Sequence, residues 1–204
     1  VKEIVEKFGV DIKKPIIVQI SRFDPWKDPL GVIDVYRELK KKHRDIQLVL
    51  IGSMATDDPE GWKFYQKTLR YAGEDKDLFI LSNLDGVGNR EVNAFQRAAT
   101  IVLQKSIREG FGLTVSEALW KKRAVIGGRA GGITVQIRHG ENGYLVSSNE
   151  ECIKAIDELL SNDMKRKTFG MAGYETVSRK FLITRHINDY FSLFEKIKKI
   201  KGQS

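Results

Sequence analysis

Ser106-Ile-Arg-Glu-Gly-Phe-Gly-Leu-Thr-Val-Ser-Glu-Ala-Leu-Trp-Lys-Lys-Arg-Ala-Val-Ile126 is the stretch on which the reading of this chain turns. An apolar strand at 101–103 precedes it and a second at 124–126 closes it. The loop between them carries Gly110 and Gly112, and glycine lets backbone approach a ligand closely. A helix opening near Leu113 then offers free N–H groups and roughly half a positive charge. Such a mouth suits a phosphate. Glu109 in the loop and Glu117 in the helix flank that mouth, where the hydroxyls of a sugar need acceptors.

Outward from this stretch, strand and helix alternate. Apolar runs at 16–20, 47–51, 78–81 and 144–146 have the length and β-branching of buried strands. Asp28-Pro29 and Asp58-Pro59 each read as an N-cap followed by proline in the first helical position. They open helices that run to about His43 and Tyr71. A short helix is expected at 90–99 and another at 134–138; three more, at 150–161, 164–180 and 184–200, fill the C-terminal part. This order predicts one α/β domain over 1–204, a Rossmann-like, doubly wound parallel sheet of about six strands flanked by helices. Ligands of such sheets bind at the carboxyl ends of the strands. The loops 21–27, 52–53, 109–113 and 127–132, with Asn83, all fall at those ends.

With 204 residues the chain can enclose a full core. Lys and Arg number 35 against 27 Asp and Glu, a net charge of +8. Lysine runs such as Lys40-Lys41-Lys42 read as solvated helix faces, and no interleaving of basic and aromatic residues points to nucleic acid. The one cysteine, Cys152, excludes an internal disulfide and a cysteine-based zinc site, and fits a reduced, cytoplasmic protein. No apolar run reaches the roughly 18 residues of a membrane span. Because the chain begins at Val1, its N-terminus is expected to be a cut.

Two cations stand in the loop after the first strand, Arg22 and Lys27. Both could reach an anionic ligand over the strand ends, where cations and a helix dipole together would stabilise developing negative charge. The bland alternatives are an Arg22 paired with an acidic neighbour and a solvated Lys27. Glu117 also has two readings, because Thr114-Val-Ser-Glu117 fits the capping-box pattern. Asp75-Lys-Asp77 matches the D-x-D pattern of metal-dependent sugar transferases but reads as a solvated loop. Gly127 to Gly132 lacks dinucleotide-fingerprint spacing and reads as a second backbone wall for a ligand. The histidines 43, 139 and 186 lack metal-ligand spacing.

Glu109-Gly-Phe-Gly-Leu followed by Glu117 resembles the E-x7-E signature of retaining, nucleotide-sugar-dependent glycosyltransferases of the GT-B fold. Segments 21–29, 52–62, 91–98 and 104–112 are similar to the archaeal trehalose synthases of the glycosyltransferring type and to related trehalose phosphorylases, and the likeness covers essentially the whole chain. It implies a C-terminal, donor-binding domain of a transferase that moves glucose from a nucleoside diphosphate to a sugar acceptor, glucose itself for trehalose. Arg22 and Lys27 would hold the pyrophosphate; Glu109 with Gly110, Phe111, Gly112 and Leu113 the sugar and phosphate; Glu117 the ribose. No cofactor or metal is implied. An N-terminal domain would bind the acceptor and receive the tail helix. Turnover by the isolated piece is expected to be poor.

The family's usual glycine is replaced by Ser21 in the first loop, its Gly and Pro by Lys122 and Ala124, and the glutamate after its glycine pair by Val135 or Gln136. A trehalose phosphorylase and a non-catalytic nucleotide-binding module remain alternatives, and the base, the acceptor and the oligomeric state, a homodimer included, stay open.

Overall fold

A computed structural model describes residues 1–201. Six strands, β1 (Ile16–Ile20), β2 (Gln47–Gly52), β3 (Leu78–Ser82), β4 (Ile101–Gln104), β5 (Ala124–Gly128) and β6 (Tyr144–Val146), form one sheet in the order β3-β2-β1-β4-β5-β6. Every pairing is parallel. The strands read as continuous apolar runs because both faces are covered. Successive side chains point to opposite sides: Ile17 joins one core and Ile16 and Val18 the other. Helices α2 (Pro29–Lys42), α3 (Pro59–Ala72) and α7 (Asn149–Ser161) contribute to the first core. Helices α1 (Lys2–Glu6), α4 (Asn89–Ala98), α5 (Leu113–Trp120) and α6 (Ile133–Gln136) contribute to the second. Helix α8 (Asp163–Lys180) reaches both, through Phe169 and Val177.

Both Asp-Pro starts form as the sequence predicts. Asp28 Oδ1 accepts from the Gly31 amide at 3.1 Å and Asp58 Oδ1 from the Gly61 amide at 2.9 Å. The chain runs outward from β1 through β2 to β3, then returns across β1 to begin β4. That reversal places the loops after β1 and β4 side by side at the carboxyl ends of the strands, at the switch-point crevice where such sheets bind ligands.

The reading of Asp75-Lys-Asp77 as a solvated loop needs correction. Asp77 is not a solvated loop residue: only 7 % of it is exposed, and its carboxylate holds Lys14 at 3.3 Å and Lys40 at 2.7 Å. Asp75 accepts from the Tyr36 hydroxyl, so the D-x-D pair ties the start of β3 to α2. His43 bonds Asp157 at 2.6 Å. Lys122, where the resembled family has glycine, adopts the left-handed conformation itself, at φ +58°, and its ammonium lies 4.8 Å from the Tyr174 ring centre. Helix α9 (Ile183–Lys201) presents Ile187, Tyr190, Phe191 and Phe194 to solvent. Among the described residues no helix is long and apolar enough to cross a membrane.

Asp77→Ala leaves two ammonium groups facing a site built for an anion. Fully buried pairs lose about 3–5 kcal/mol on such truncation and exposed ones under about 1. With both lysines partly exposed, the variant is expected to lose about 1–3 kcal/mol in urea unfolding.

Candidate functional site

The loop after β1 is shaped by Asp24. Its Oδ1 accepts from the Trp26 amide at 2.9 Å and the Lys27 amide at 3.1 Å, capping a single 3-10 turn at Pro25–Lys27. That turn points Lys27 across the crevice, where its Nζ lies 2.7 Å from Glu109 Oε2 in the loop after β4. Both side chains are nearly buried, 12 % and 13 % exposed. The Trp26 carbonyl accepts from the Ile107 amide at 2.7 Å, and the Arg108 guanidinium stacks 4.0 Å from the Trp26 ring centre. The two loops are therefore joined by an ion pair, a backbone bond and a stacked cation.

Two buried glutamines fasten this arrangement to the sheet. Gln19, in the middle of the apolar β1 run, donates to the Lys27 carbonyl at 2.8 Å and accepts from the Lys105 amide at 2.9 Å. Gln104, the last residue of β4, donates to Ser106 Oγ at 3.0 Å and Glu109 Oε2 at 3.4 Å, and accepts from the Thr114 hydroxyl at 2.9 Å. Ser106 Oγ also donates to Glu109 Oε2, at 3.2 Å. Glu109 Oε2 is thus gripped by three donors, while Oε1 accepts only from the Gly110 amide, at 3.2 Å. Neither glutamine was singled out from sequence; the available signal was a polar residue inside or at the end of an otherwise apolar strand.

The helix mouth is open. Gly112 is the N-cap of α5 at φ +81°, and no side chain caps it. Thr114-Val-Ser-Glu117 is consequently not a capping box: the helix starts too early for Glu117 to reach the cap, and the Thr114 hydroxyl turns to Gln104 instead. Glu117 is exposed, and its Oε2 accepts from Gln96 of α4 at 2.8 Å. It lies further along the helix, in a group separate from Glu109. Phe111 packs edge-on against Phe181, and Leu113 is 68 % exposed.

Arg22 takes the bland alternative: its guanidinium, 70 % exposed, lies 3.2 Å from Asp24 Oδ2. It still lines, with Lys27, Arg108, Glu109 and Gly110, an open cleft of about 330 Å³. That volume is on the order of a small ligand site.

The 127–132 loop presses against the 106–112 loop backbone to backbone. A Cβ on Gly128 would stand 2.1 Å from the Ser106 carbonyl oxygen, and one on Gly131 (φ +42°) 1.7 Å from that of Glu109. The Gly132 amide donates to the Gly110 carbonyl at 2.8 Å. Fully buried Gln136 closes the contact, donating to the carbonyls of Phe111, Gly112 and Gly132. The glycines of 127–132 therefore serve as a buttress that holds Glu109 in place.

A sheet in this order, with an uncapped helix mouth and a lysine–glutamate pair at its switch point, defines a Rossmann-like domain of the kind found in GT-B glycosyltransferases. Residues 1–176 match the family model described as Glycosyl transferases group 1, and the chain belongs to that family. Trehalose synthase from Rubrobacter xylanophilus is 54 % identical over 194 residues, covering 95 % of this chain and 46 % of that protein. Trehalose phosphorylase from Grifola frondosa is 36 % identical, over 76 % of this chain and 22 % of that one. The solved C-terminal domain of a group 1 glycosyl transferase from Francisella tularensis superposes with a TM-score of 0.72 at 29 % identity, covering 89 % of this chain and 93 % of that domain. The chain thus spans about half the length of its trehalose synthase relative.

Gly131→Ala tests the buttress. A methyl placed on the Glu109 carbonyl must displace one loop, at a cost of about 2–3 kcal/mol. Thermal unfolding should fall by several degrees. An unchanged melting temperature would show that the loops are not locked together.

Proposed function

We propose that this chain is the donor-binding half of a retaining glycosyltransferase, moving glucose from a nucleoside diphosphate to a sugar acceptor, glucose in the trehalose-forming case. The supporting observation is the Lys27–Glu109 pair at the mouth of α5. An ammonium has three donors, so Lys27 can keep Glu109 and still bond two phosphate oxygens. The uncapped amides at 112–114 and the α5 dipole face the same charge. Arg22 and Arg108 line the cleft beside them. Together they stabilise the diphosphate as the bond to the anomeric carbon breaks.

Glu109 is held by a cation and two further donors on Oε2, so it acts as a positioning and electrostatic group, with Oε1 turned to a sugar hydroxyl. The anomeric carbon–phosphate oxygen bond breaks and a bond to the acceptor oxygen forms on the same face. The acceptor's proton passes to the departing phosphate oxygen, and configuration is kept. No metal is needed for this charge balance. Glu117, exposed on α5, reaches the ribose hydroxyls. The acceptor binds to a partner domain opposite the strand ends, against which α9 packs its apolar face, and the reaction takes place in the cytoplasm.

Calorimetric titration with ADP, UDP and their glucose conjugates, in chelator, tests the reading. One nucleotide should bind, and Lys27→Ala and Glu117→Ala should each weaken it by roughly tenfold or more, the worth of a charge-assisted hydrogen bond. Silence at millimolar ligand, both here and with the acceptor domain attached, would contradict it. The likeness to a trehalose phosphorylase supports one variant of the same site, in which inorganic phosphate takes the place of the nucleotide. Phosphate-dependent release of glucose 1-phosphate from trehalose by the two-domain protein would establish that variant.

A further inference from the structure

Glu117 and Lys121 stand four residues apart on α5, in the order that favours a direct ion pair along a helix. They do not form one. Gln96 of α4, fully buried, reaches between them: its Nε2 donates to Glu117 Oε2 at 2.8 Å and its Oε1 accepts from Lys121 Nζ at 2.6 Å. Burial pushes the Lys121 ammonium below its ordinary range, against the opposing attraction of the nearby Glu117 charge, while its hydrogen bond goes to the Gln96 carbonyl.

We infer that Gln96 is a positioning residue that keeps Lys121 off Glu117 and presents the Glu117 carboxylate to the ribose diol of the donor. The inference rests on the donor-site reading of Glu117. An amide suits this position because one end satisfies an ammonium, the other a carboxylate, and it brings no charge of its own. The grip falls on Oε2 of a side chain that is otherwise exposed. With Gln96 apolar, the partly exposed Lys121 would turn to the carboxylate four residues back, at the spacing that favours ion pairs along a helix. That pair would take Glu117 away from the diol and offset its charge.

The test compares wild type, Gln96→Leu and Gln96→Leu/Lys121→Met. ADP and UDP are titrated beside their 2′,3′-dideoxy counterparts, with melting temperatures as a control. Gln96→Leu should weaken the preferred nucleotide about tenfold, the scale of one charge-assisted contact. It should leave the affinity for the dideoxy nucleotide unchanged, because no diol is present to lose. Removing Lys121 as well should restore a substantial part of the loss. A purely structural role would lower the melting temperature and weaken both nucleotides alike, which overturns the inference, as does an unchanged affinity for ADP or UDP. If wild type binds neither nucleotide, the donor-site reading fails and this inference fails with it; if wild type binds and Gln96→Leu behaves like it, only the inference fails.

Discussion

The bond between Lys27 and Glu109 spans the point where the sheet changes direction. One partner comes from the loop after β1, the other from the loop after β4, and 82 residues separate them in sequence. Both side chains are nearly buried, so each charge needs the other; an unpaired buried carboxylate or ammonium costs several kcal/mol. Much of the surrounding structure meets that requirement. Asp24 curls the first loop so that Lys27 points inward, Gln19 ties the Lys27 carbonyl to the second loop, and Gln104 and Ser106 complete the grip on Glu109.

A lysine already bonded to a glutamate is a preorganised cation rather than a spent one. Its partner Glu109 adjoins Gly112 at the start of α5, so in the proposed site the donors left on Lys27 would act beside a helix dipole that needs no reorganisation. The glycine buttress behind the 106–112 loop matters for the same reason. Contacts of carbonyl oxygen on glycine leave little room for the loop to shift, so Glu109 and the amides after it keep their relative places. In such a site the electrostatic work is done on folding, before a ligand arrives.

The sheet was legible because its cause is local. Continuous β-branched runs, Asp-Pro helix starts and glycine loops at strand ends each announce themselves within a few residues, and their alternation leads to a doubly wound fold. Glu109 stood out because a carboxylate between Arg108 and Gly110 has no role in a periodic element. The glutamines at 19, 96, 104 and 136 were not legible as site residues: what each does depends on partners brought together only by packing, as Gln19 with Lys105 across 86 positions. Thr114-Val-Ser-Glu117 misleads for a related reason. The capping pattern is local, but the start of α5 is set by Gly112 at positive φ, and that shifts Glu117 out of the first turn. Asp77 looked solvated because sequence gives no view of the two lysines that converge on it.

A crystal structure of this chain with a nucleoside diphosphate glucose bound tests the central claim most directly. The account predicts the diphosphate between Lys27 Nζ and the amides at 112–114, with Glu109 Oε1 on a sugar hydroxyl and Oε2 still held by Gln104 and Ser106. A diphosphate bound away from the α5 mouth, with Lys27 turned from it and bonded to Glu109 alone, would contradict the account.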